Sequence, residues 1–231
     1  MKVTRHNLII LLLIPLLFGC TSTPTPSYAP RSAWITKFLE EPTCQLPCWE
    51  NIVPGEMTMD ETFAVLSNNP NIQIRQYWKE PIDGIKRQEI NWDFAQTKDG
   101  GLAWSDHNGE VLQTIKLGLS KEQLLTIQEV INTYGFPTKV YLSDCRDARF
   151  CFVEFVYVEL GMSASTDGLG YKYHKSRGYR VTISEETRIE VIYLHPAGEQ
   201  YYRAYLGAWA DYDTIPNWNG YGEYTQKVPF P

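Results

Sequence analysis

The chain has 231 residues, of which 43% are apolar and 13% aromatic, and it carries 27 acidic against 21 basic side chains. This composition is typical of a folded globular protein and excludes a fibrous or intrinsically disordered chain. The formal net charge of −6 and the lack of a block of Lys and Arg argue against nucleic-acid binding, because phosphate binding draws most of its free energy from clustered cations.

The first 20 residues have the layout of a secretory signal. Lys2 and Arg5 precede an apolar run, Leu8 to Phe18, that would cover only about 16 Å as a helix, well short of a hydrocarbon core of about 30 Å. The run ends in Leu-Phe-Gly-Cys20, which resembles the lipobox of bacterial lipoproteins. That resemblance implies that Cys20 is acylated and anchors the chain to the extracytoplasmic face of the cell membrane or outer membrane. The alternative is an ordinary signal peptide followed by an unrelated cysteine.

Residues 21–31 are rich in Thr, Ser and Pro and are predicted to form an extended tether, since proline fixes φ and removes a backbone donor. A short helix is predicted from Ala33 to Glu41, where Pro42 ends it.

The first folded unit, residues 32–116, is predicted to contain a helix followed by antiparallel strands. Thr58 and Glu61 have the spacing of a capping box, and Asn68-Asn69-Pro70 ends the helix. Strands are predicted after it, with a His107-Asn108-Gly109 turn before the last one: residues 72–78, 85–94, 101–105 and 110–116.

The second unit, residues 117–198, repeats this order. Ser120 and Gln123 again have capping-box spacing, apolar residues recur at helical spacing to Tyr134, and Gly135 ends the helix. Strands are predicted at residues 138–142, 151–160, 178–184 and 188–194. The Gly- and Ser-rich residues 161–176 are predicted to form a long mobile loop, and residues 199–231 an aromatic-rich C-terminal helix and tail.

Two stretches resemble a known family. Residues 52–66 (Ile-Val-Pro-Gly-Glu-Met-Thr-Met-Asp-Glu-Thr-Phe-Ala-Val-Leu) and residues 117–137, with Leu-Gly-Leu-Ser-Lys-Glu-Gln at the start and Tyr-Gly-Phe-Pro at the end, are similar to the signature of the SmpA/OmlA (BamE-like) lipoproteins. The resemblance implies helices packed on a three-stranded antiparallel sheet, and a tandem pair as in the β-lactamase inhibitor protein fold. We therefore expect an α+β fold of two tandem helix-plus-antiparallel-sheet modules.

This resemblance implies that the tethered chain docks on another envelope protein, and it transfers no catalytic residues. A second stretch, Leu-Pro-Cys-Trp-x-x-Ile-x-Pro-Gly at residues 46–55, is similar to a family of uncharacterised bacterial lipoproteins and implies no activity.

Besides Cys20, the chain has Cys44, Cys48, Cys145 and Cys151. An even number of cysteines outside the cytoplasm predicts two disulfides, and the local pairs are favoured because their partners are close in sequence. One alternative is a zinc site made by all four thiolates, although the spacings are not of the usual type. A redox pair is the other alternative, again with an unfavourable spacing.

Catalytic and metal-binding patterns are weak. None of the three histidines outside the signal has a metal-ligand partner at close spacing, so solvent-facing structural roles are predicted for His107, His174 and His195. A hydrolase triad of His195, Ser184 and Asp211 lacks any supporting motif.

The glycines of residues 161–170 superficially resemble a phosphate-binding loop but lack its lysine and its following helix. Acidic pairs are interpreted as solvated faces rather than as a glycosidase or calcium site: Glu40-Glu41, Glu185-Glu186 and Asp211-Tyr-Asp213. We predict no cofactor and no metal.

Aromatic residues are concentrated at the C-terminus. Tyr201, Tyr205 and Trp209 share one helix face and are predicted to pack on the second sheet, whereas rings beyond Ile215-Pro216 are predicted to stay partly exposed. The candidate binding residues are Trp209, Tyr212, Trp218, Tyr221 and Tyr224.

The favoured function is a non-enzymatic, membrane-tethered module or scaffold that binds an envelope protein. The alternatives are a lipoprotein that binds carbohydrate or cell wall and, last, an envelope hydrolase.

Overall fold

The computed structural model describes residues 31–40, 42–79, 87–143, 150–166, 168–174, 178–207 and 210–226. Its α-helices in these ranges are α1 (Ala33–Glu40), α2 (Met59–Asn68), α3 (Ile127–Tyr134) and α4 (Glu199–Gly207). The strands of the first half are β1 (Ile72–Trp78), β2 (Glu89–Phe94), β3 (Gly100–Ser105), β4 (Leu112–Gly118) and β5 (Leu125–Thr126). Those of the second half are β6 (Lys139–Ser143), β7 (Phe150–Tyr157), β8 (Met162–Ser165), β9 (Leu169–His174), β10 (Gly178–Ile183), β11 (Arg188–Ile189), β12 (Val191–Leu194) and β13 (Gly222–Gln226). No helix within the described ranges is sufficiently long and apolar to traverse a lipid bilayer.

Most of these strands belong to one antiparallel sheet. Its order is β1-β2-β3-β4-β12-β8-β7-β9-β10-β13, and β6 also pairs with β7. The two halves of the chain meet where β4 pairs with β12, with Leu117 opposite Ile192. The short strands β5 and β11 form a separate pair.

The prediction of two tandem helix-plus-sheet modules is wrong. The expected boundary after residue 116 falls inside β4, and the sheet continues across it into β12. The helices are only 8 to 10 residues long, so the strands dominate the architecture. Separate modules would leave the edges of β4 and β12 unpaired, whereas their pairing satisfies the backbone groups and buries Leu117 and Ile192 completely.

The prediction of a mobile loop over residues 161–176 is also wrong. Met162–Ser165 form β8, which pairs with β7 on one side and β12 on the other, and Leu169–His174 form β9. The small residues Ser163, Ala164 and Ser165 are buried. Small side chains fit a buried strand that is paired on both sides. The same residues, considered without their tertiary contacts, are typical of a loop.

The predicted helix starts are half correct. The α2 helix begins at Thr58 with the expected capping box to Glu61. The α3 helix, however, begins at Thr126, whose capping box is completed by Glu129, and not at Ser120. The difference arises because Leu125–Thr126 pair with β11 as a strand, which holds the chain extended until Thr126.

The second half of the sheet curls so that the segment before β13 lies beside β6. The Trp218 amide donates to the Thr138 carbonyl at 3.1 Å, and the Val140 amide donates to the Pro216 carbonyl at 2.9 Å. Helix α4 packs across the sheet with Tyr202 and Leu206 buried, as part of a second apolar cluster. This curl places the C-terminal aromatic residues next to the end of α3.

Candidate functional site

An aromatic surface lies where the C-terminal segment meets the end of α3, and we define it as Phe136, Trp218 and Tyr221. Phe136 follows Gly135, which ends α3 with φ of +82°, and Pro137 comes next. Trp218 and Tyr221 lie just before β13, in the segment that pairs with β6. Residues from two distant parts of the chain thus form one surface.

Each ring of the aromatic surface lies against another aromatic ring. Phe136 is 72% exposed and stacks on Trp218 at 6.5 Å between ring centroids, with an interplanar angle of 21°. Beneath it, Trp218 stacks on the buried ring of Tyr224 at 5.8 Å. Tyr221 stands at 89° to Trp218, and its hydroxyl donates to Gln128 Oε1 at 2.6 Å. The stack on Tyr224 and the hydrogen bond to Gln128 restrict Trp218 and Tyr221, so these two side chains lose less conformational entropy when a partner binds than free side chains would.

Two hydrogen bonds hold the Tyr224 side chain beneath this surface. Its hydroxyl donates to the Gly220 carbonyl at 2.7 Å and accepts from the Asn219 amide at 2.9 Å. Burial raises the pKa of the Tyr224 hydroxyl, which therefore stays protonated and available as a donor.

The fold exposes some of the predicted binding residues and buries others. Trp218 and Tyr221 reach the surface, whereas Tyr224 is buried beneath them. Tyr212 is buried elsewhere, with the Arg203 guanidinium 4.7 Å from its ring centroid. Trp209 lies outside the described residues. Phe136 was not predicted, although a large apolar residue between a helix-ending glycine and a proline is a recognisable local signal.

The prediction that His195 faces solvent is wrong, because its side chain is completely buried. Its Nδ1 atom lies 3.1 Å from both the Thr114 Oγ1 atom and the Tyr201 hydroxyl. The rings of Tyr193, Tyr201, Tyr202 and Tyr205 surround the imidazole. This burial lowers the pKa of His195 to about 3, so the imidazole is neutral at pH 7.

A second titratable group, Glu154 on β7, is buried close to the same tyrosines. Ser163 Oγ donates to Glu154 Oε1 at 2.5 Å, and burial raises the pKa of the carboxyl to about 7. The electrostatic influence of Glu154 adds to burial in raising the pKa of Tyr193 to about 12. Among the described residues no hydrogen bond joins His195 to Glu154, so they do not form an acid–base pair.

The remaining candidate residues lie apart from one another. Ser184 and Asp211 are exposed, and the hydrogen bonds described for His195 go to neither of them. Asp211 accepts from the Asp213 amide, and Asp213 is bound by two nitrogens of Arg203 at 2.8 and 3.0 Å. His107 is exposed in its turn, and the backbone of His174 belongs to β9.

The other acidic pairs are on the surface, as expected for solvated faces. Glu40, Glu185 and Glu186 are exposed, and Glu41 lies outside the described residues. Across the ranges that the structure describes, no group of three potential ligands could hold a metal ion.

The predicted local disulfide between Cys44 and Cys48 is present, with 5.6 Å between the two Cα atoms. It uses two of the four thiols that the alternative zinc site requires. Cys151 is buried in β7 and is disulfide-bonded. Its predicted partner Cys145, like the lipidation candidate Cys20, lies outside the described residues.

A groove of about 1100 Å³ runs between α1, the turn at residues 49–51, the end of α2 and the turn that joins β2 to β3. Trp34, Trp49 and Phe94 contribute its aromatic lining. The buried Asp99 carboxylate fixes one wall, because it accepts from Trp34 Nε1 at 2.8 Å and from the Ser120 amide at 2.7 Å. Sequence patterns gave no indication of this groove, since its lining comes from five separate segments.

No family model, curated protein or solved structure matches this chain. The resemblance of residues 52–66 and 117–137 to the SmpA/OmlA lipoproteins therefore stays a prediction, and the continuous sheet differs from the modular fold that it implied.

Proposed function

We propose that this chain is an extracytoplasmic lipoprotein that binds an envelope protein through the aromatic surface of Phe136, Trp218 and Tyr221. The observation that carries the proposal is the 72% exposure of Phe136 on a stack with Trp218. Clustered aromatic rings with a polar rim are typical of the central residues of protein interfaces, where burial of a few such side chains supplies most of the binding free energy.

The ring arrangement favours a protein partner over a sugar at this surface. A sugar ring stacks on a broad aromatic platform, but Tyr221 is perpendicular to Trp218 and its hydroxyl is already bonded to Gln128. Rings at right angles instead form an uneven apolar surface, against which a complementary protein side chain can pack.

The anchor is supported by the sequence at residues 17–20. The acyl chains implied by the lipobox would make membrane attachment effectively permanent, because each buried methylene contributes about 0.8 kcal/mol. The tether at residues 21–31 would then give the folded part reach above the bilayer.

The absence of catalysis is part of the proposal. The strongest acid–base candidates, His195 and Glu154, are enclosed by the sheet and α4, and His195 has no exposed surface. A general acid or base must come within hydrogen-bonding distance of its substrate, which buried groups do not do in this conformation.

The proposal is tested by cross-linking the lipidated full chain in its own envelope, followed by affinity purification and quantitative mass spectrometry. We expect at least one envelope protein whose recovery falls about tenfold with Phe136→Ser, because this change removes the most exposed ring of the aromatic surface without opening the core. Trp78→Ser, at a half-buried aromatic residue of the edge strand β1, is the matched control and should leave recovery unchanged. Equal recovery with wild type and Phe136→Ser, or no protein partner at all, would contradict the proposal.

A further inference from the structure

We infer that the groove beside α1 is a binding site for a neutral oligosaccharide. This site is separate from the aromatic surface and does not depend on the function proposed for it. The inference rests on four features of the groove: its charge balance, its rim of side-chain amides, its backbone conformation and its size.

Each charged residue that lines the groove within the described ranges forms an ion pair. Its charged lining residues are Arg31, Lys37, Glu50, Lys98 and Glu122. Arg31 pairs with Glu129, the Lys37 Nζ atom lies 2.8 Å from Glu50 Oε1, and the Lys98 Nζ atom lies 2.9 Å from Glu122 Oε1. A phosphate or an acidic peptide requires unpaired cations, and a basic peptide requires unpaired carboxylates. The charge balance therefore favours an uncharged ligand.

Exposed side-chain amides form part of the groove lining. Asn51, Asn68, Asn71 and Gln96 line the groove and are exposed. None of these four amides has a side-chain hydrogen bond to another residue in the part of the chain that the structure describes. Each amide presents two donor hydrogens and one acceptor oxygen, which matches the paired donor and acceptor hydroxyls of a sugar.

The backbone at the rim adopts costly conformations. Within the described ranges, the non-glycine residues with positive φ are Glu50 (+52°), Asn51 (+63°) and Gln96 (+66°). All three line this groove. Left-handed backbone is unfavourable for residues with a Cβ atom, and such conformations concentrate at sites that bind or react.

The size and floor of the groove suit an elongated ligand. Its volume of about 1100 Å³ is slightly larger than that of small-ligand pockets, which measure roughly 300 to 1000 Å³. Val65 and Ile72 are half-buried in the lining, and the edges of the buried Trp34 and Trp49 lie behind them, so a sugar ring would meet a small aliphatic surface while the amides bind its hydroxyls.

The test is isothermal titration calorimetry on the full chain in a detergent that has no sugar headgroup. The probes are two neutral oligosaccharides, cellotetraose and chitotetraose, and the charged tetragalacturonate. We expect saturable binding of at least one neutral probe and at least tenfold weaker binding of the charged one. Failure of both neutral probes to bind, or equally tight binding of tetragalacturonate, would overturn the inference.

Variants locate the site. The double variant Asn68→Ala/Asn71→Ala and the single variant Gln96→Gly should each weaken binding of the neutral probe at least tenfold, and Gln96→Gly also relieves the backbone strain. Asn132→Ala removes an exposed amide from α3, outside the groove, and should not change the affinity. Far-ultraviolet circular dichroism establishes that each variant is folded. Unchanged binding in folded groove variants, or loss of binding in Phe136→Ser, would place the sugar elsewhere and refute the inference.

Discussion

His195 and Glu154 are enclosed by the same layer of tyrosines, and burial moves their pKa values in opposite directions. The carboxyl pKa of Glu154 rises from 4.5 to about 7, so this group contributes most to stability when it is protonated, and the contribution is lost as the pH rises through 7. The imidazole pKa of His195 falls from 6.5 to about 3, so its contribution is complete above pH 6.5 and is lost as the pH falls toward 3.

Between pH 4.5 and 6.5 these two effects oppose each other, by at most about 1.4 kcal/mol per pH unit for each group. We expect the stability of Glu154→Gln, measured relative to wild type, to rise with pH across this window. The relative stability of His195→Gln should fall across it. Urea denaturation at pH 4.5, 5.5 and 6.5 measures both slopes, with Glu159→Gln at an exposed carboxylate as the control. Parallel pH curves for Glu154→Gln and wild type would show that the carboxyl does not titrate in this window.

The burial of His195 was not predictable from its surroundings in sequence. It follows β12 and precedes Pro196, a position that is typical of an exposed strand end. Its hydrogen-bond partner Thr114 is 81 residues away, and helix α4 covers it from the other side. By contrast, the exposure of His107 was predictable, because its turn is specified by the adjacent Asn108 and Gly109.

Helix starts depend on single side chains, and the two capping boxes illustrate how far local reasoning extends. The Thr58 and Thr126 hydroxyls each accept from the backbone amide three residues later. Ser120 has similar spacing to Gln123, but its backbone amide donates to Asp99 Oδ1 at 2.7 Å and no helix begins there. The sequence contains both signals, and the pairing of β5 with β11 decides which one is used.

Thr58→Ala and Thr126→Ala should therefore each lower the free energy of unfolding by about 1 kcal/mol, since each leaves an amide of the first helical turn without its acceptor. Ser120→Ala should change it by less than about 0.5 kcal/mol. Urea denaturation monitored by circular dichroism at pH 7 compares the three variants. A loss in Ser120→Ala equal to that in Thr126→Ala would mean that α3 begins at the earlier position.

The continuous sheet makes the two halves of the chain depend on each other. The pairing of β4 with β12 joins residues 112–118 to residues 191–194, and β8 pairs with the other edge of β12. A sheet that spans both halves has no internal boundary at which one half can unfold while the other keeps its backbone hydrogen bonds. Unfolding should consequently be a single cooperative transition.

Ile192→Ala, a completely buried truncation in β12, should lower the free energy of unfolding by about 2 to 5 kcal/mol. The transition seen by tryptophan fluorescence, which includes Trp34, Trp49 and Trp92 of the first half, should shift together with the transition seen by circular dichroism. Ser67→Ala, at an exposed position of α2, is the control. If fluorescence remained at the wild-type midpoint while circular dichroism shifted, the two halves would be independent.

By itself, the sequence determined the features that depend on neighbouring residues: the cap of α2, the span of β1 at Ile72–Trp78, the turn at His107 and the disulfide between Cys44 and Cys48. These features depend only on residues a few positions apart in the sequence, and the chemistry and backbone preferences of those residues are sufficient to predict them. The tertiary structure alone decided the union of the two halves, the burial of β8 and His195, and the placement of Phe136 beside Trp218. Each of these depends on contacts between distant segments, such as Gln128 with Tyr221 across 93 positions, whose free energy no local window of sequence contains.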